Sequence, residues 1–119
     1  MPVTRDIQQL AGSLSAGQLA DLIDDGLRGV RERGVGEMLV DITVVTGFRS
    51  PGPAYRRWVA RRWYKTLGPT IRIAMVARNE HICPQKTGLL VAAEEGIRAH
   101  ICDTEAEAIA WLDAERGTS

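Results

Sequence analysis

Apolar residues along this chain follow two rhythms. Between Ser15 and Gly34, Leu19, Leu22, Ile23, Leu27 and Val30 recur three and four positions apart, as one face of a helix requires. Asp21, Asp24, Asp25, Arg28 and Arg31 fill the other face. Ser15 with Gln18 three residues on predicts a capping box, and Gly34 is the stop. Gly26 and Gly29 interrupt this helix at a cost of about 1 kcal/mol each against alanine. They are read as points where a strand approaches closely.

The second rhythm is near-continuous. Met38–Thr46 and Thr70–Ala77 are β-branched runs of the kind that are buried on both faces of a parallel sheet. Ile97–Cys102 is a third, shorter run. Helical stretches are predicted over 54–67, 84–95 and 104–115, the last with Thr104 and Glu107 as a second capping box. Strands alternating with helices argue βαβ units with right-handed crossovers. The two long runs should be parallel, adjacent and central, with helix 54–67 crossing between them. Residues 4–14 are open to two readings. Ile7, Leu10, Ala11 and Leu14 sit at helical spacing, yet a three-stranded sheet is thin for so many helices. A fourth strand near Arg5–Ala11 is adopted. The fold class is therefore α/β: a small, mostly parallel sheet of four to five strands flanked by helices. It forms one domain over 1–119, with frayed ends at 1–4 and 116–119.

Composition narrows the setting. A chain of 119 residues, 45% hydrophobic and 25% charged, is ordinary for a globular domain. Its apolar runs fall far below the roughly 18 residues of a membrane span. The start lacks a signal-peptide h-region, and Cys83 and Cys102 are too few for a disulfide framework, so cytoplasmic residence is expected.

Charge changes the picture more. Fifteen acids and fifteen bases cancel, but Ile42–Asn79 holds eight arginines and lysines and no acid. Arg57, Arg61 and Lys65 form a stripe on helix 54–67, beside the apolar side of Tyr55, Val59, Trp63 and Leu67. Like charges at this spacing oppose helix formation by roughly 0.2–0.5 kcal/mol per pair. Something acidic should offset them: neighbouring helices, a second copy of the chain, or an acidic protein partner. A phosphorylated ligand or an anionic membrane surface would also serve. Nucleic acid is not expected, because no recognition motif accompanies the zero net charge. Trp58 and Trp63 are read as packing residues.

Ligands of open α/β sheets sit beyond the carboxyl ends of the strands. The most distinctive such loop is Thr46-Gly47-Phe48-Arg49-Ser50-Pro51-Gly52-Pro53. A helix N-terminus follows it and favours an anion. Ser50 either caps that helix, with Pro51 or Pro53 at its first position, or carries a phosphate there.

The segment Leu39-Val40-Asp41-Ile42-Thr43-Val44-Val45-Thr46-Gly47-Phe48-Arg49-Ser50 resembles the central strand of STAS domains, the anti-sigma-factor antagonist fold. In that family a strand aspartate is followed nine residues later by a serine at the next helix start, as Asp41 and Ser50 are here. Arg72-Ile73-Ala74-Met75-Val76-Ala77 and Asp103-Thr104-Glu105-Ala106-Glu107-Ala108-Ile109-Ala110-Trp111-Leu112 are similar to the SpoIIAA-like branch. The resemblance spans roughly residues 36–115. It implies a non-enzymatic regulatory or protein-interaction module, with Gly47, Phe48, Arg49 and Ser50 as the phosphoacceptor or ligand loop. The family serine usually follows Asp and precedes Ser-Gly or Thr-Gly, whereas this chain has Arg49-Ser50-Pro51.

Other chemistry is thinly represented. His81-Ile82-Cys83 and His100-Ile101-Cys102 repeat a tripeptide at predicted strand ends, but His-x-Cys lacks the usual Cys-x₂₋₄-Cys knuckle. No metal and no cofactor is expected, and Cys102 is read as a small buried hydrophobe. Asp41, mid-strand, requires hydrogen bonds and is read as structural. No P-loop, Rossmann fingerprint or Gly-x-Ser-x-Gly elbow is present, so the chain is not read as an enzyme. A carrier of a small anionic or lipid-like ligand beside Gly47–Pro53 is the first alternative. An enzyme using Cys83 or His81 is the second.

Overall fold

A computed structural model describes residues 5–47, 52–68, 70–82 and 87–117. Its elements are β1 (Arg5–Ser13), α1 (Ala16–Glu32), β2 (Glu37–Thr46), α2 (Pro53–Leu67), β3 (Arg72–Val76), α3 (Thr87–Glu94), β4 (Ala99–Cys102) and α4 (Glu105–Gly117). A single 3-10 turn, Asn79–His81, lies between β3 and α3. Helix α4 runs to Gly117, so it takes in part of the stretch expected to fray; residues 1–4 and 118–119 lie outside the described residues.

The strands form one parallel sheet in the order β1-β2-β3-β4. β2 and β3 are adjacent and central, and α2 links them, as the apolar runs predict. An order that never reverses, built from crossovers of one hand, puts every connecting helix on the same face. Accordingly α1, α2 and α3 share one core with the sheet, through Leu19, Ile23, Leu27, Ala60, Tyr64, Leu67, Val91 and Ala92 over Met38, Val40, Ile42 and Ile73. Among the described residues only α4, after the last strand, covers the other face. There Ala108 and Leu112 lie on Leu39, Ala74, Val76 and Cys102.

Residues 5–13 are a strand despite their helical spacing. Pairing with β2 along its whole length decides this. Gln9 opposes Asp41 and Ala11 opposes Val44, so β2 carries one extra residue around Ile42–Thr43, a bulge. The Asp41 carboxylate holds the bulge, accepting from the Thr43 backbone N–H at 2.9 Å and its hydroxyl at 2.7 Å. The structural role expected of Asp41 is thereby specified. The bulge also flips the alternation of the strand, so that Val45 is buried while Val44 is 61% exposed. Burial on both faces holds for Glu37–Val40 and fails beyond Asp41, because β3 ends opposite that residue.

Ser15 and Gln18 form the predicted reciprocal capping box. At the other predicted box, the Thr104 hydroxyl accepts from Glu107 N–H at 3.2 Å, but the Glu107 carboxylate reaches His100. Gly26 is where a strand side chain presses in: an added Cβ would lie 2.4 Å from Gln8 Oε1. Nothing crowds Gly29, so the same reading fails there.

At the amino edge of the sheet, three residues in register form a row the sequence did not disclose. Arg5, Glu37 and Arg72 are direct neighbours on β1, β2 and β3. Fully buried Glu37 accepts from Arg5 Nε at 3.2 Å and from Arg72 at 3.0 Å. Arg5 also bonds Asp113 of α4, and that bond holds its guanidinium all the more firmly protonated.

Candidate functional site

With no reversal of strand order, this sheet has no crevice between diverging crossovers. The room lies instead between the helical layer and the carboxyl half of the sheet. A cavity of about 120 Å³ opens there. Helix α1 supplies Ala16, Leu19 and Ala20; α2 supplies Tyr55, Arg56, Val59, Trp63 and Tyr64; the sheet supplies Ile42, Ile73 and Met75 and, from β4, Ala99, His100 and Ile101, with Ala77 just past β3. The wall is almost wholly apolar. His81 and the cationic Arg56 close one side, and Arg56 donates to the His81 carbonyl at 3.0 Å.

The walls are held by specific bonds. Trp63 Nε1 donates to the Ala20 carbonyl at 3.0 Å, tying α2 to α1. Asp24, buried in α1, accepts from the Thr66 hydroxyl at 2.8 Å and pairs with Arg28 at 3.0 Å and Arg62 at 3.5 Å. Burial pushes the Tyr64 phenol up to about 12, so its hydroxyl stays protonated at neutral pH. Trp63 thus packs as expected. Trp58 does not: it is 59% exposed, beside Tyr55 with ring centroids 6.0 Å apart. The face of α2 that carries it points away from the sheet.

Of the loop expected to carry function, Gly47 is described; Phe48, Arg49 and Ser50 lie outside the described residues. Gly47 has φ 91°, and a Cβ there would meet Ser13 Oγ at 2.5 Å, so both space and backbone demand glycine. Helix α2 begins at Pro53 with Gly52 as its N-cap. The cap position therefore belongs to Gly52 and not to Ser50.

The basic stripe is answered within the chain. Arg57 pairs with Glu94, the last residue of α3, at 3.1 Å, and Arg61 with Glu94 at 3.5 Å and with Glu95, just after α3, at 3.8 Å. Arg62 pairs with Asp21 of α1 at 2.9 Å. Arg57 holds the Glu94 carboxyl below its usual range. Lys65 has no ion pair among the described residues. The acid-free stretch is thus flanked in space by the acidic ends of its neighbours.

The repeated tripeptide divides. His81 lies in the 3-10 turn at the cavity and not at a strand end, and Cys83 lies outside the described residues. His100 and Cys102 share the α4 face of β4. There His100 Nε2 is 3.1 Å from Glu107 Oε2, and the ring stacks on Trp111 at 5.4 Å. Cys102 is buried, as expected, with Sγ 3.3 Å from the Thr104 carbonyl. Burial pushes its thiol up, so the metal-free side chain is held as the thiol at neutral pH.

The sequence did not single out Tyr64, Ala77 or Arg56 as site residues. The available signal was Arg56 itself, the cation one helical turn before the buried Val59–Ala60 pair and on the sheet-facing side. Among the described residues no helix is long and apolar enough to cross a membrane. Comparison with family models, curated proteins and solved structures gives no match to this chain.

Proposed function

We propose that the chain is a binding module whose cavity receives a small, largely apolar molecule with an anionic head directed to Arg56. The observation that carries this is the apolar cavity at the carboxyl half of the sheet, with the Arg56 guanidinium in its wall. Dry apolar cavities of about 150 Å³ hold a molecule the size of benzene. Room of about 120 Å³ open to a mouth suits one ring or a short alkyl chain. Trp63 in the wall supplies a fluorescence signal.

Titration with benzoate and hexanoate, against benzyl alcohol and hexanol as neutral counterparts, tests the reading. Carboxylates should bind more tightly than their neutral counterparts. Arg56→Gln should remove that preference and leave the neutral ligands unaffected. Ala16→Phe, at the rim, should block all four. Equal binding by wild type and Ala16→Phe, or none by either, overturns the reading.

The resemblance to STAS domains supports a second reading, a SpoIIAA-like regulatory module that docks on an acidic protein or on a second copy. The exposed Tyr55–Trp58 pair beside Arg57 and Arg61 favours it. Sedimentation at low salt should then show self-association that weakens at 1 M salt, where the Debye length falls to about 3 Å. Trp58→Ala should abolish it.

A further inference from the structure

We propose that His100, Cys102 and Glu107 form a binding site for a divalent transition-metal ion, zinc before others. Metal-ligand spacing in the sequence argues against a site made from the repeated tripeptide. The fold sets that pattern aside by adding a carboxylate five residues further on. One imidazole nitrogen, one sulfur and one carboxylate oxygen lie within 4.8 Å of one another. Tetrahedral zinc, with bonds of about 2.0–2.3 Å, keeps its donor atoms about 3.3–3.6 Å apart. The His100–Glu107 separation of 3.1 Å is close to that already, and the sulfur, within 4.8 Å of both, has to close the remaining gap.

Each donor is held by something other than a metal. His100 and Cys102 project from one face of a strand, two residues apart, and stacking on Trp111 fixes the imidazole plane. Glu107 stands in the first turn of α4, where the Thr104 cap holds its backbone N–H at 3.2 Å. The donor set of one nitrogen, one sulfur and one oxygen suits zinc and excludes calcium and magnesium, which take oxygen ligands. Cys102 releases its thiol proton to solvent as the ion binds, and three protein ligands leave a fourth position for water or an outside donor. Glu107 is exposed, so an ion can enter from its side. The three donor side chains lie on the α4 face of β4, while the cavity, which His100 also lines, opens on the opposite face.

Cobalt(II) titrated into the metal-free full chain should produce thiolate-to-cobalt charge transfer and tetrahedral d–d absorption, both displaced by zinc. Cys102→Ser should lose the charge-transfer band, and Cys83→Ser should keep it. His100→Ala and Glu107→Gln should each weaken zinc binding by about tenfold or more, the scale of losing one partner at a metal centre. Because Cys102 is buried and its variant can fail to fold, thermal melts supply a second readout. Zinc should raise the melting midpoint of wild type and raise it less in Glu107→Gln, a surface change. The site is overturned by three results: cobalt bound without charge transfer, a band that follows Cys83, or zinc affinity unchanged in both His100→Ala and Glu107→Gln.

Discussion

The two faces of this sheet are built differently. One is covered by three connecting helices over a large apolar core, and it can hold a cavity without coming apart. The other is covered, among the described residues, by α4 alone, whose Ala108 and Leu112 meet four buried sheet residues, and is fastened at its amino end by charge: Glu37 between Arg5 and Arg72, with Arg5 reaching Asp113 of α4. The contrast teaches that a terminal helix, with no following strand to hold it, uses directional bonds where the connecting helices use area.

Removing Glu37 should break that contrast most severely. Glu37→Ala leaves two guanidinium groups facing each other at a fully buried position, and a loss of about 3–5 kcal/mol is expected in denaturant unfolding. Arg5→Met should cost less, because Arg72 still pairs the carboxylate.

Core truncation sharpens the comparison next. Leu27→Ala in α1 and Leu112→Ala in α4 remove equally buried side chains, and each should cost about 2–5 kcal/mol. Their hydrogen-exchange patterns should differ. Leu112→Ala should release amides of 105–117 ahead of the rest, whereas Leu27→Ala should lower protection across the sheet. Release of α1 before β2 and β3 in the Leu27→Ala protein would contradict the picture of one cooperative helical face.

Alkaline pH should weaken the helical face through Tyr64. Tyr64 is raised from 10.0 to about 12 in the folded chain, so the unfolded state gives up its proton first. Its contribution is fully present below about pH 10 and is lost as pH rises towards 12, to a total of about 2–3 kcal/mol. Tyr64→Phe should flatten that part of the stability profile; Tyr55→Phe, at the surface, should not.

The smallest effect belongs to the exposed pairs of α2 and α3. Arg57→Ala should lower stability slightly at low salt, and the difference from wild type should vanish near 1 M. A deficit that persists at high salt would show that the arginine stem, and not its charge, matters.

The helices and the two central strands were legible because their signals are local. A capping box at Ser15–Gln18 and apolar residues three and four apart need only neighbours in the chain. The runs at Met38 and Thr70 read as buried strands because no other context hides that many β-branched residues. β1 was harder, since its helical spacing is overruled by pairing with β2, 32 to 33 residues away. The bulge at Ile42–Thr43, which decides that Val45 and not Val44 is buried, is invisible in a run of apolar letters. Charge asymmetry was plain to read, but its answer was not. Whether Glu94 and Asp21 meet Arg57 and Arg62 depends on α3 and α1 flanking α2 on one face, a consequence of strand order. The Arg5–Glu37–Arg72 row and the meeting of His100 with Glu107 likewise depend on register and on where α4 turns back. Local propensity and periodicity determined the elements. Register, crossover hand and helix docking determined which distant side chains became neighbours, because those distances exist only once the sheet has formed.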